Sequence, residues 1–286
     1  MATSRLRTFA RDGLTFDLTD AGPLGGDVVI LLHGFPQDST CWDDVARRLN
    51  EAGYRTLAPD QRGYSPGARP VGASNYRFRE LADDVLALSS AADVDRFHVV
   101  AHDWGAMVAW ALAADQPTRV ASLTSLSVPH PGAFRAALWH GQALRSWYMG
   151  LFQVPRLTER LIRPGSWMWS QLVRGLPERA ADHYAQRMAQ PGALSAALTW
   201  YRAMPSELRT PSVRVDRIGV PTLYVWGARD PALGRTAAEQ TQRYVTGPYR
   251  FEVLDRAGHW LPERHAEHVA DLVLPHLRAN PAGPHT

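Results

Sequence analysis

An aspartate stands in the run Ala101-His102-Asp103-Trp104-Gly105, between a short apolar stretch at 97–101 and an apolar helical pattern at 104–115. The small residues two positions either side of it, Ala101 and Gly105, are what a tight strand-to-helix turn requires. A bulkier side chain at either place would strike the neighbouring backbone. Such a turn lifts Asp103 above a sheet and sets the next backbone N–H, that of Trp104, beside it as an oxyanion donor. An aspartate at a helix start can also be no more than an N-cap. Two further features favour chemistry.

The first is His33-Gly34-Phe35-Pro36, directly after the β-branched and aliphatic run 28–32. A glycine loop in this place can supply a second oxyanion N–H, here from Phe35, with His33 bracing the loop. The second is a pair made of an acid and a base. Asp230 follows the apolar run 221–226 and His259 follows the run 249–254, so both fall at the carboxyl ends of strands. Open α/β sheets build their sites on that edge. The next-best place for the acid, one strand earlier, is empty: no Asp or Glu lies between Asp115 and Glu159.

The elements that must hold these residues follow from hydrophobic periodicity. Strands are expected at 28–32, 54–58, 97–101, 121–128, 221–226 and 249–254, and helices at 41–52, 78–90, 104–115, 236–244 and 263–277. Alternation of strand and helix implies right-handed crossovers and a mostly parallel sheet flanked by helices. From 130 to 211 the alternation stops. That stretch holds helical patterns, several prolines and five of the ten tryptophans: Trp139, Trp147, Trp167, Trp169 and Trp200. The expected architecture is one α/β core, residues 1–129 and 212–286, with a helical cap inserted at 130–211. The Pro/Gly-rich tail 280–286 is expected to fray.

Composition removes other mechanisms. The 286 residues include 31 Lys plus Arg, and every one of them is arginine. A lysine Schiff base, a phosphate-binding Walker lysine and a lysine general base are therefore excluded. A formal net charge of +3, evenly scattered, does not argue for nucleic acid or an anionic membrane. Cys41, the single cysteine, excludes an intrachain disulfide and a cysteine metal site, and is expected in the core. Residues 1–10 carry no apolar signal core, and the longest apolar run, 106–114, is far too short to span a bilayer. A cytoplasmic protein without metal or organic cofactor is the expectation. His130 reads as a hinge residue, and the spacing of His265 and His268 is not a metal signature.

The motifs His33-Gly34-Phe35-Pro36, His102-Asp103-Trp104-Gly105 and Gly258-His259-Trp260 resemble those of the epoxide hydrolases, within the α/β-hydrolase superfamily. The loop Asp60-Gln61-Arg62-Gly63-Tyr64-Ser65 is similar to a recurrent structural loop of that superfamily. The chain order of nucleophile, acid and histidine also agrees. An aspartate attacks peptides and esters poorly but can displace at a saturated carbon, leaving an alkyl-enzyme ester for water to hydrolyse. His259, oriented by Asp230, would activate that water, with Phe35 and Trp104 donating to the oxyanion.

The resemblance further implies roles for two segments of the insertion. Ser146-Trp147-Tyr148-Met149-Gly150-Leu151-Phe152-Gln153 and Thr199-Trp200-Tyr201-Arg202 resemble those in which epoxide hydrolases carry ring-opening tyrosines. The role falls on Tyr148 and Tyr201, whose phenols, with pKa about 10 in water, are donors at neutral pH. Phe35, Trp104, Trp147 and Trp200 are expected to line the site of a small apolar epoxide, with water as co-substrate. Dehalogenation of an alkyl halide and a silent ligand-binding member of the fold are the alternatives. Natural substrate, enantiopreference and homo-oligomerisation stay open at this level.

Overall fold

The computed structural model describes residues 4–283. Eight strands form one sheet: β1 (Thr8–Arg11), β2 (Leu14–Ala21), β3 (Val28–Leu32), β4 (Arg55–Pro59), β5 (Phe97–His102), β6 (Val120–Leu126), β7 (Thr222–Gly227) and β8 (Tyr249–Leu254). Their spatial order is β1-β2-β4-β3-β5-β6-β7-β8. From β4 to β8 every neighbouring pair is parallel, and strands β3 to β7 are buried along their whole length. Strand β3 and the middles of β5 and β7 accordingly read as continuous apolar stretches, whereas β4 and β6 also bury Arg55, Thr56, Ser122, Thr124 and Ser125.

The six expected strands are all present, with ends shifted by a residue or two. Strands β1 and β2 were not expected. They form an antiparallel hairpin that adds to β4 on the sheet edge. Asp12 and Gly13 turn it, both with positive φ (51° and 77°), the conformation a two-residue hairpin turn demands. The Asp-Gly pair was the available signal. The hairpin alternates inward and outward; Phe9 and Phe16 are its buried apolar side chains, stacked at 4.6 Å, with Leu14 and Leu18 partly buried against the core.

Core helices α1 (Asp43–Glu51), α2 (Phe78–Ala91) and α3 (Trp104–Asp115) connect the first half of the sheet. Helix α3 is apolar all round because it is buried all round; Trp110 within it is fully buried and donates its indole N–H to Val128 O at 3.3 Å. Between β6 and β7 the chain makes seven helices and no strand: α4 (Pro131–Ala137), α5 (Gln142–Arg145), α6 (Tyr148–Leu151), α7 (Leu157–Leu161), α8 (Trp167–Leu172), α9 (Glu178–Met188) and α10 (Ala193–Arg209). Helices α11 (Arg235–Gln240), α12 (Leu261–Arg264) and α13 (Ala266–Ala279) complete the core. The single helix expected at 263–277 is therefore two, interrupted at His265, whose φ and ψ are −136° and 31°.

Two local features depart from expectation or fix the edge of the sheet. The start of the tail is tied down, because Arg96 donates to the carbonyls of Pro281 and Ala282 at 3.1 and 3.2 Å. Residues 284–286 lie outside the described part. At the hairpin edge, the Asp20 carboxylate accepts from Arg55 Nε at 2.9 Å, from Arg55 Nη2 at 2.6 Å and from Leu6 N at 2.9 Å. The Arg55 and Asp20 side chains are 2% and 0% exposed. Asp20→Ala would strand a buried guanidinium, and we expect a loss of about 3–5 kcal/mol in urea unfolding. A loss below about 1 kcal/mol, the range of exposed pairs, would contradict this account of the edge.

Candidate active site

Asp103 sits between β5 and α3 with φ 50° and ψ −124°, outside the regions ordinary residues occupy. Two glycines make this turn possible. A Cβ on Gly105 would lie 2.3 Å from the Leu32 carbonyl oxygen, and one on Gly34 would lie 2.3 Å from Asp103 Cβ. The strained turn and the loop after β3 are thus packed directly against each other. The contact puts Phe35 N–H on Asp103 Oδ1 at 2.8 Å. His33 braces the loop from behind: its Nδ1–H donates to Gly34 O at 2.9 Å, and its Nε2 accepts from Gln61 N at 3.1 Å. The Trp104 N–H begins α3, where helical N–H groups have no partner inside the helix.

The other oxygen of Asp103 faces a histidine. His259 Nε2 lies 3.4 Å from Asp103 Oδ2, and His259 Nδ1 donates to Asp230 Oδ2 at 2.7 Å. Asp230 is fixed in turn by the backbone N–H groups of Ala232 (2.8 Å) and Leu233 (3.0 Å) on its Oδ1. Both oxygens are therefore bonded, and the bond to Nδ1 sets which histidine nitrogen points at Asp103. The His259 carbonyl is held by Ser127 Oγ at 2.8 Å and His102 Nε2 at 2.9 Å. Asp103, Asp230 and His259 come from three separated strand ends and meet in one line of contacts.

The electrostatics follow from that line. Burial alone would push the Asp103 carboxyl up, but the His259 hydrogen bond and charge, with the Phe35 N–H, hold it below the usual carboxylate range. Burial likewise works against the His259 imidazolium; the charge of Asp230 and bonds to Asp103 and Asp230 outweigh it and raise its pKa well above the ordinary value. Both shifts favour a carboxylate beside an imidazolium.

Above Asp103 lies an aromatic cluster. The Tyr201 ring is edge-on to Trp104 (4.7 Å), Phe152 (4.8 Å) and Phe35 (5.6 Å), and 6.3 Å from Tyr148. Burial, and then the charge of Asp103, raise the pKa of both phenols, so they stay protonated. Gln153 Nε2 ties the two segments together by donating to Met149 O at 3.1 Å and Tyr201 O at 2.8 Å.

Other residues singled out in the sequence are not brought to this point. Trp147 is 64% exposed and makes none of the cluster's ring contacts; it sits at the solvent-facing start of α6. Trp200 is buried 5.9 Å from Trp104, but its indole N–H is committed to Arg62 O at 2.8 Å, so it packs beneath the cluster. Trp139 and Trp167 are exposed, and Trp169 is buried. His130 caps α4 and stacks on Tyr244 at 4.6 Å. Cys41 is buried, as a small core residue would be. Sequence reasoning missed Phe152, four residues beyond Tyr148 and so on the same side of the chain's turn, and Gln37, one residue past the glycine loop. Among the described residues no cluster of His, Cys, Asp and Glu could hold a metal, and no helix is long and apolar enough to cross a membrane.

The same architecture recurs in known proteins. Residues 27–266 match the family model described as alpha/beta hydrolase fold. The AB hydrolase superfamily protein YfhM of Bacillus subtilis is 34% identical over 93% of this chain and 96% of its own length. Epoxide hydrolase A of Mycobacterium tuberculosis is 30% identical over 93% of this chain and 95% of its own. The crystal structure of Epoxide Hydrolase A from Mycobacterium thermoresistibile superposes with a TM-score of 0.83 at 27% identity, over 97% of this chain and 99% of that one. The chain belongs to the α/β-hydrolase superfamily and, within it, to the family of the epoxide hydrolases.

Proposed function

We propose that the protein hydrolyses epoxides to vicinal diols through a covalent ester on Asp103. The observation that carries this reading is the division of labour at one carboxylate: Oδ1 is held by the Phe35 N–H, while Oδ2 faces His259. Oδ2 is then the attacking atom and Oδ1 the future oxyanion. Residues 130–211 serve as the cap and bring Tyr148 and Tyr201 over the acid, and residues 1–129 and 212–286 serve as the core.

In the first step Asp103 Oδ2 forms a C–O bond to an epoxide carbon and the ring C–O bond breaks. Its electron pair becomes an alkoxide, which takes a proton from the phenols of Tyr148 and Tyr201. Esterification cancels the Asp103 charge, one of the two anions that hold the proton on His259. The imidazolium gives up that proton, which passes by way of water to the phenolate, so the phenol is restored and neutral His259 is left to act as base. It then takes a proton from water as that water attacks the ester carbonyl. The resulting charge on Oδ1 falls on the N–H groups of Phe35 and Trp104. As the tetrahedral species collapses, the bond from the Asp103 carbonyl carbon to Oδ2 breaks, the diol leaves with that oxygen and takes the proton of the newly added hydroxyl, and Asp103 is again a carboxylate beside the imidazolium that Asp230 steadies.

The phenols favour an epoxide over an alkyl halide, since a halide wants indole or amide donors. Of the two indoles in the ring cluster, Trp104 and Trp200, that of Trp200 is already committed to Arg62 O at 2.8 Å. The relatives named epoxide hydrolases support the same choice. Tyr148→Phe combined with Tyr201→Phe is expected to lower the single-turnover rate of styrene oxide opening by about 10²–10⁴-fold, the usual worth of a positioned acid. Each single variant should keep part of the rate, because the other phenol remains. Unimpaired opening in the double variant would refute the role.

A further inference from the structure

Behind the three aligned residues runs a buried polar chain that the proposed reaction does not use. His102 is fully buried, with Nε2 at 2.9 Å from His259 O and Nδ1 at 2.9 Å from Gln37 Oε1. The same Gln37 oxygen accepts the Gly34 N–H at 2.9 Å, and Gln37 Nε2 donates to Glu263 Oε1 at 2.7 Å. Tyr184 donates its hydroxyl to that carboxylate oxygen at 3.1 Å. Glu263 Oε2 is buried and has no hydrogen-bond partner.

The proton count of this chain is constrained. Both atoms facing His102 are acceptors, whereas a neutral imidazole has one N–H to give. With the Gln37 amide as described, both His102 contacts are made only if the ring carries two protons, while Glu263 Oε1 accepts from Gln37 and Tyr184 whether or not Oε2 carries a proton. If the amide turns over, Glu263 must carry a proton to meet the amide oxygen, and His102 can be neutral. Burial opposes the doubly protonated ring by holding the His102 pKa down to about 3. The turned amide leaves the Gly34 N–H facing an amide NH₂. The charge on Glu263 and the direction of the Gln37 amide are therefore linked. One end of the link is the Gly34–Phe35 loop on Asp103 Oδ1, and the other is the His259 backbone.

We propose that Glu263 is a positioning residue, acting through Gln37 and His102 to hold the oxyanion loop and His259 for hydrolysis of the ester. The proposal rests on the reading of Asp103 as nucleophile. Glu263 faces Gln37 and Tyr184 directly and senses His259, with Cys41 and Asp38 behind them; His102 faces His259, Asp103 and Asp230. Burial pushes the Glu263 carboxyl up, and what steadies its ionised form is the pair of donors, Gln37 Nε2 and the Tyr184 hydroxyl, together with the charge of His259.

Glu263→Gln keeps the shape and deletes the charge. Single-turnover kinetics with styrene oxide resolve ester formation from ester hydrolysis. Formation should be unchanged, while hydrolysis should slow roughly tenfold, about what one hydrogen bond to a charged group is worth. The acid limb of the hydrolysis profile should move to lower pH, because losing a nearby anion lowers the His259 pKa. Tyr184→Phe, which leaves the charge in place, should leave that limb where it was. Gln37→Met cuts the same chain at its middle and should slow the same step, which covers the case in which Glu263→Gln does not fold. An unmoved limb in Glu263→Gln, equal slowing of both steps, or full hydrolysis in Gln37→Met overturns the proposal. An absence of any ester in the unsubstituted enzyme would instead bring down the nucleophile reading, and this proposal with it.

Discussion

His259→Gln is expected to stop the enzyme after one turnover with the substrate still attached. His259 Nε2 is the one basic atom beside Asp103 Oδ2, at 3.4 Å, and glutamine cannot take a proton from water there. Ring opening needs only the carboxylate and the phenols, so it should continue. The product is one ester per protein, seen in intact mass as a gain equal to the whole epoxide. Steady-state turnover should fall by about 10³–10⁴-fold, the scale on which catalytic triads fail without their base. Asp230→Asn should weaken the same step less completely, since the imidazole would remain but lose the partner that fixes its Nδ1–H. A variant that turns over normally, or loses turnover without gaining mass, would contradict the assignment.

Asp103→Asn is expected to abolish both turnover and the mass gain. The side chain keeps its size in a turn packed on Gly34, so the loss should be chemical rather than structural. An amide is a poor nucleophile, and we expect a drop of about 10⁴-fold or more in kcat/KM. A second signature comes from charge. The carboxylate is one of the groups that raise the His259 pKa, so the variant's imidazole should titrate at lower pH by NMR. The proton count gives the sign: with one anion gone the imidazolium is less stable, and the ring loses its proton sooner as pH rises. Turnover within tenfold of the parent would remove Asp103 from the reaction.

The division between what the residues announce and what only the fold reveals has physical causes. Strands β3, β5 and β7 are legible because burial on both faces gives them continuous apolar stretches, and Asp103 because its turn tolerates only small neighbours. Asp230 and His259 are legible because each follows a strand. The β1–β2 hairpin is not, since it lies on an edge and points few side chains inward. Trp147 and Trp200 show the reverse failure. An indole in an inserted helix suggests an apolar site wall, yet sequence spacing does not say which way a short helix faces, and here one ring meets solvent while the other donates to Arg62. The Gln37–Glu263 contact spans 226 residues and has no local pattern that could announce it.

The central claim is the ester, and one measurement addresses it directly. Excess enzyme is mixed with a limiting epoxide in water enriched in heavy oxygen, and the diol from the first turnover is weighed. If Asp103 Oδ2 attacks carbon, that diol carries ordinary oxygen from the protein, and the heavy atom appears in the Asp103 carboxylate, recoverable in its peptide. If the heavy oxygen is instead in the first diol and Asp103 is unlabelled, water opened the ring directly and the covalent mechanism is wrong.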